Sequence, residues 1–306
     1  MEENNIRNNV YKKAGIIGAG IIGAGKAGCS LGMFIKNKCG DVELPDKKML
    51  GLSGYYSLHK TSAEEAAERT GSICYASIEE LLMASDVCVI TVPDGQIGSV
   101  WNEVRKYDIN GKLIIHMSGS VSAAVFEGIE ETGAYGYSLH PMYAISSKYE
   151  SYQGFSNAFF TLEGNEKYKV YIKTFADEVA GGCVCIDGSN KALYHGASVF
   201  ASNLVVGLFE TASELLVKCG FNKEQAVKAL GPLFTGNALK IAELGTEAAL
   251  TGPVERNDIA TVEKHLAVLD DDEKQIYTSL SGKILRVAER KNPGRDYSEL
   301  EKLLKK

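Results

Sequence analysis

The sequence predicts an α/β domain built on a largely parallel sheet, followed by an all-helical domain. Three observations lead there. Up to about residue 188, short apolar runs alternate with helical patterns. A glycine-dense turn follows the first apolar run, where the hexapeptide GIIGAG occurs twice between residues 15 and 25 and shares one glycine. From Ser189 onward helical spacing takes over, which divides the chain into domains at 1–188 and 189–306.

Composition narrows the class. The 306 residues are 45% hydrophobic and 24% charged, as in ordinary soluble proteins, and suffice for two domains. A net charge of −6 argues against a nucleic-acid partner, which calls for a basic stripe. No stretch comes near the ~18 unbroken apolar residues of a membrane span, and the polar start MEENNIRNNVYKK does not read as a signal peptide. Seven cysteines, an odd number, suit reduced thiols in a cytoplasmic protein. Cys183 and Cys185 share one face of a strand-like run, but no further ligands stand near them, so buried thiols are expected and no metal site.

Strands are expected at 15–22, 49–56, 72–76, 86–92, 112–117 and 134–140, with 158–164 and 182–187 extending the sheet. Helices are expected at 62–71, opened by a Ser62 cap and closed by Gly71, and at 77–85. One long helix should run from Ser189 to Gly220, followed by helices at 222–231, 235–250, 258–269, 272–291 and 296–305. Asp258 is placed to cap the helix that follows it.

Two G-x-G-x-x-G frames overlap at the first turn: Gly18, Gly20, Gly23 and Gly23, Gly25, Gly28. A dinucleotide turn needs one glycine for the bend, one for close approach of the pyrophosphate and one for helix–strand packing. The first frame would load the start of its helix with glycines at roughly 1 kcal/mol each, so the second is chosen. Gly23, Ala24, Gly25, Lys26, Ala27 and Gly28 then form the phosphate cradle on a helix N-terminus. The end of the second strand carries no acid to bind ribose hydroxyls before Glu64; Ser57, His59, Lys60 and Ser62 offer donors and charge instead. NADP(H) is therefore the expected cofactor. Val92, Pro93, Asp94 and Ile97, after the fourth strand, should border its nicotinamide end together with Ser118.

GAGKAGCSL, SDVCVITVPDGQI, HMSGSVS, YSLHPMYAI, KALYHGASVFASNLVVGL and ALTGPVERNDIATVEKHL, in this order, resemble a bacterial family of Rossmann-like proteins whose helical half is catalogued as a domain of unknown function. The resemblance spans roughly residues 14–280. It implies kinship with ketopantoate reductases, 3-hydroxyisobutyrate dehydrogenases, 6-phosphogluconate dehydrogenases and pyrroline-5-carboxylate reductases, and a helical domain like that of the 6-phosphogluconate dehydrogenases. The doubled hexapeptide and an insertion at 39–48, expected as a surface loop, depart from the pattern.

The candidate chemistry lies in three stretches. Ser118, Gly119 and Ser120 can supply donors to a substrate carboxylate or carbonyl, and His140 stands at the end of the next strand. Lys191, His195, Ser198 and Ser202 fall on one stripe of the long helix, while Leu193, Ala197, Phe200, Leu204 and Leu208 form an apolar stripe on another face. In the related dehydrogenases a helix lysine protonates the substrate oxygen, with an amide-bearing residue further along; the resemblance carries these roles to Lys191 and Asn203, with His195 beside them. Arg256 could hold a carboxylate, or pair locally with Glu255 or Asp258. His265 suits a structural role.

These readings lead to an NADPH-dependent reductase of a small 2-keto acid, best guess ketopantoate in pantothenate synthesis, acting as a cytoplasmic homodimer. The alternatives are an imine reductase of the pyrroline-5-carboxylate type, whose members lack the helix lysine, and a non-catalytic NADP-sensing protein.

Overall fold

A computed structural model describes residues 16–39 and 49–305. Residues 1–15, and all of the expected 39–48 loop except Cys39, lie outside the described residues.

The chain divides into two compact units, one running through Ser202 and the other from Asn203. The first is an eight-stranded sheet of order β3-β2-β1-β4-β5-β6-β7-β8. Its strands are β1 (Ile16–Ile22), β2 (Met49–Tyr56), β3 (Ile73–Cys74), β4 (Val87–Ile90), β5 (Leu113–His116), β6 (Tyr135–Met142), β7 (Phe159–Gly164) and β8 (Gly182–Cys185). Pairing is parallel through β6, antiparallel between β6 and β7, and parallel again between β7 and β8.

Strand alternation feeds two cores. Ala19, Ile21, Val87, Val89 and Ile115 pack with Cys29 and Phe34 of α1 (Lys26–Phe34) and Ile172 and Ala176 of α5 (Lys169–Val179). Ile22, Cys88, Ile90 and Ile114 pack with Leu81 and Leu82 of α3 (Ile78–Met83) and Trp101 and Val104 of α4 (Ile97–Val104). The four β4 residues are all buried, the mark of a central strand covered on both faces. Helix α1 passes into a π-helical turn at Ile35–Cys39.

Several local expectations change. Helix α2 (Lys60–Thr70) starts two residues before Ser62; its N-cap is His59, without a side-chain bond, and Gly71 closes it in the left-handed region. Cys183 is buried, but Cys185 is exposed because β8 is the edge of the sheet. The long helix breaks at Ser202 (φ −129°, ψ −76°) into α6 (Lys191–Ala201) and α7 (Asn203–Lys218). The units therefore part after Ser202 rather than after residue 188, since α6 is bonded to the sheet through Lys191.

The second unit is helical: α7, α8 (Lys223–Ala249), α9 (Pro253–Arg256), α10 (Ile259–Val268), α11 (Asp271–Lys291) and α12 (Ser298–Leu304). Helix α8 joins the two expected segments 222–231 and 235–250, carries Pro232 inside, and kinks at Gly245 (φ 80°). Asp258 caps α10 by accepting from the Thr261 N–H, and Asp270 with Glu273 forms a capping box on α11. His265 is structural in its contacts, its Nδ1 2.8 Å from the Tyr277 hydroxyl. Val254, Val262, Leu285, Ala288 and Leu300 form the core. The apolar residues of α6–α8 are otherwise placed: Leu193, Phe200, Val206 and Leu233 are each at least 70% exposed. By length and composition the stretch Gly188–Lys218 would also suffice to cross a membrane, although it contains no unbroken apolar run of that length.

His116 ends β5 fully buried beside the Phe126 ring, and its Nδ1 accepts from the Ser118 N–H at 3.2 Å. Burial, reinforced by the Lys191 charge, lowers its pKa from 6.5 to about 4. Because the folded pKa lies below the unfolded one, the unfolded chain binds more protons between these values, and stability falls as pH drops through that window. The loss should reach on the order of 3 kcal/mol for this one group by pH 4. Thermal unfolding at pH 7 and pH 5 should show a smaller acid-induced drop for His116→Leu than for the unmodified chain. Equal drops would show that His116 is not held neutral.

Candidate active site

The glycine turn divides three tasks among three residues. Gly23 follows β1 with φ 107°, a conformation that L side chains rarely adopt, and its N–H donates to the Tyr56 carbonyl at 2.8 Å. A Cβ on Gly28 would lie 2.2 Å from the Gly23 carbonyl oxygen, so only glycine lets α1 pack this close. A Cβ on Gly25 would meet nothing within 4 Å, because this residue faces open space at the N-cap of α1. The free N–H groups of the first turn, Lys26 and Ala27 among them, thus open outward at the positive end of the helix. Gly18 and Gly20 lie inside β1 instead, pressed against Ser53, Ser85 and Leu81.

This turn forms one wall of a cleft of about 1050 Å³. Ser57, His59 and Ser62 line it at the end of β2, and Val92 and Pro93 at the end of β4. Lys60 is instead drawn to Glu64, 3.3 Å away, and Ile97 is buried in the core. No carboxylate stands at the end of β2, although Glu103 of α4 lies across the cleft. Sequence reasoning missed Lys148, which also lines the cleft and pairs with Glu65 at 3.6 Å. The Ser30 hydroxyl holds its segment by donating to the Ser147 and Lys148 carbonyls at 3.0 and 3.2 Å. Nothing in the local sequence signals a contact spanning more than a hundred residues.

A second group of polar residues meets beyond the carboxyl ends of β4, β5 and β6, where open α/β sheets bind ligands. The Ser118 hydroxyl accepts from the Ser120 and Val121 N–H groups at 3.1 and 3.0 Å, which closes the turn. The Ser120 hydroxyl donates to Asp94 at 2.6 Å, joining this turn to the one after β4. Glu163 of β7, also buried, accepts from the Ser122 hydroxyl and the Ala123 N–H.

Lys191, in the first turn of α6, is only 3% exposed. Its ammonium donates to the Ser118 carbonyl at 2.9 Å and the Ser138 hydroxyl at 2.7 Å. Burial lowers its pKa, while the Glu163 and Asp94 carboxylates pull in the opposite direction. Three residues on, the Tyr194 hydroxyl lies 2.7 Å from His140 Nδ1, a partner the sequence reading did not identify. Burial, then the nearby Lys191 and His195, bring the His140 pKa down to about 4. A Cβ on Gly119 would lie 2.9 Å from His140 Nε2 and 3.2 Å from His195 Nδ1, so both imidazoles border this one glycine.

The structure therefore brings together Asp94, Ser118, Gly119, Ser120, His140, Lys191 and His195. Ser202 is not in this group, its hydroxyl donating to the Ser198 carbonyl of its own helix; the Ser198 hydroxyl donates to the Tyr194 carbonyl at 3.3 Å and also acts on the Tyr194 phenol. Asn203 begins α7 and Arg256 ends α9, both exposed and both in the second unit. Arg256 adds its charge to the Thr261 bonds that hold the Asp258 carboxyl below its usual range. Among the described residues no group of acids, histidines and cysteines could hold a metal ion.

Comparison with known proteins agrees with this architecture. Residues 1–141 match the Rossmann-like domain, and residues 158–284 match a domain of unknown function, DUF2520. Among solved structures, protein TM1727 from Thermotoga maritima is similar at a TM-score of 0.69 and 24% identity, over 89% of this chain and 98% of that one. BF3122 from Bacteroides fragilis, provisionally described as an NADP oxidoreductase, gives 0.65 and 22% over 89% and 99%. The pyrroline carboxylate reductase of Plasmodium falciparum, with NADP bound, gives 0.57 and 18% over 90% and 97%. No curated protein matches the chain by sequence. In fold, then, the chain is similar to a Rossmann-like domain over its first part and to DUF2520 over most of the rest.

Proposed function

We propose that this protein is an NADPH-dependent reductase of a small 2-keto acid, with ketopantoate as the substrate to test first. The observation that carries the reading is the cleft itself: a glycine turn opens a helix N-terminus onto it, and the end of β2 offers hydroxyls and an imidazole where an NAD site would carry an acid. The NADP-bound state of a similar structure supports the same cofactor. When bound, the dinucleotide supplies the hydride. The chain's own residues do the rest. The α1 N-terminus holds the pyrophosphate, Ser57 and His59 with Lys148 surround the 2′-phosphate, and the Ser118–Ser120 turn orients the substrate. Lys191 keeps that turn in place and puts a positive charge beside it.

We further propose that the exposed apolar residues of α7 and α8, including Val206, Leu233 and Leu239, meet a second copy of the chain. Large exposed apolar patches are rare on monomers. The charges interspersed along α8 (Glu224, Lys228, Lys240, Glu243, Glu247) suit a protein partner better than a lipid one.

Three outcomes follow. Titration should give at least tenfold tighter binding of NADPH than NADH, a difference of ~1.4 kcal/mol, and Gly25→Val should abolish binding by filling the space at the turn; equal affinity for the two cofactors would remove the preference. Purified protein should oxidise NADPH when ketopantoate is added, and the gene should rescue a strain lacking ketopantoate reductase; activity confined to cyclic imines would move the assignment to imine reduction, the chemistry of other similar structures. Light scattering should find a dimer that Leu233→Glu with Leu239→Glu converts to monomer. A monomeric unmodified protein that floats with liposomes would point instead to a membrane surface.

A further inference from the structure

We infer that Tyr194, hydrogen-bonded to His140, is the proton donor of this site, and that it serves a carbonyl oxygen rather than an imine nitrogen. The inference rests on the reductase reading above and replaces Lys191 as the donor.

Geometry separates the two candidates. The Lys191 ammonium is buried and directed at the Ser118 carbonyl and the Ser138 hydroxyl, so its charge holds two strand ends together. Releasing a proton from it would weaken both bonds in a buried setting where unmade bonds are costly. Tyr194 is only half-buried, and its hydroxyl has an imidazole nitrogen 2.7 Å away. The two rings stand nearly perpendicular, at 85° and 5.6 Å, so His140 meets the phenol with its edge. Lys191 Nζ lies 5.6 Å from the Tyr194 ring centroid, near enough to stabilise negative charge forming on the phenol.

Gly119 completes the arrangement. Lacking a side chain, it admits His140 Nε2 and His195 Nδ1 to the same spot, and His195 is exposed to solvent. His140 thus has one nitrogen on the tyrosine and the other at the edge of Gly119, which the solvent-exposed His195 also borders.

The step balances as follows. Hydride from a reduced nicotinamide forms the new C–H bond at the carbonyl carbon, the C=O π pair moves to oxygen, and that oxygen takes the Tyr194 proton to become an alcohol. The phenolate recovers a proton from His140 Nδ1, while Nε2 takes one from solvent. His140 stays neutral throughout by exchanging one tautomer for the other, which suits a histidine whose burial resists charging. Burial also raises the Tyr194 pKa, outweighing the Thr161 and Ser198 hydroxyls, which pull it the other way. Such a weak acid can protonate a strongly basic alkoxide, but it is poorly matched to an imine, which must carry its proton before hydride arrives.

The test uses the full-length protein and a panel of keto acids and cyclic imines. Tyr194→Phe should bind NADPH as tightly as the unmodified protein, keep its melting temperature and KM, and lose ~100- to 10,000-fold in kcat on the keto acid. Gly119→Ala, which pushes on His140 without removing an ionisable group, should also lower kcat. A Tyr194→Phe variant that turns over the keto acid as fast as the unmodified protein would overturn the donor assignment and leave the reductase reading standing. Activity of the unmodified protein on imines alone would overturn the carbonyl assignment. No turnover on either class would remove the reductase reading and the donor role with it.

Discussion

The bond set of a single buried ammonium organises the candidate site. Lys191 reaches back from the first turn of α6 to the Ser118 carbonyl beyond β5 and the Ser138 hydroxyl on β6. A lysine at a helix N-terminus sits against the helix dipole and loses its hydration, so the position is unfavourable unless strong acceptors compensate. Here a carbonyl and a hydroxyl receive the charge directly, and the Glu163 and Asp94 carboxylates favour it from nearby. With Lys191 anchored, Tyr194 comes to rest on His140 and His195 on Gly119.

The same acids have local work as well. Glu163 holds the segment after the serine turn by accepting from Ser122 and Ala123, and Asp94 accepts from Ser120. Charge balance and loop geometry therefore depend on the same two carboxylates. Lys191, Ser118, Ser138, Ser120 and Asp94 form one connected hydrogen-bond network, and such networks rigidify a constellation when satisfied and fail together when one member is lost. Against this stands the cleft beside α1, whose glycine turn is set by close backbone packing and by the Thr91 hydroxyl, which donates to the Gly23 carbonyl at 3.0 Å.

Much was legible in the residues. The alternation of strands and helices, the glycine turn, the missing acid after β2 and the Asp258 cap all follow from periodicity, backbone freedom and residue chemistry that act within a few residues. The role of Lys191 was legible only in part. Its stripe on α6 pointed to His195, Ser198 and Ser202 as companions, yet both serine hydroxyls bond to carbonyls of their own helix, a local option that hydroxyl side chains in helices readily take.

By itself, then, the sequence determined the order of elements, the turn that opens α1 and the place of helix α6 after the last strand, because these depend on short-range patterns. The tertiary structure decided what no local pattern encodes: that Tyr194 meets His140 across 54 residues, that Lys148 reaches the cleft beside the glycine turn from the segment between β6 and β7, and that the helix breaks at Ser202. It also left the apolar stripe of α6 and α7 on the surface, where hydrophobic spacing had given no sign of whether its cover lay within the chain. The physical reason is common to all four. Periodicity reports that a residue needs a partner of some kind, whereas the identity of that partner depends on which distant segments the packed sheet and helices bring within a few ångströms.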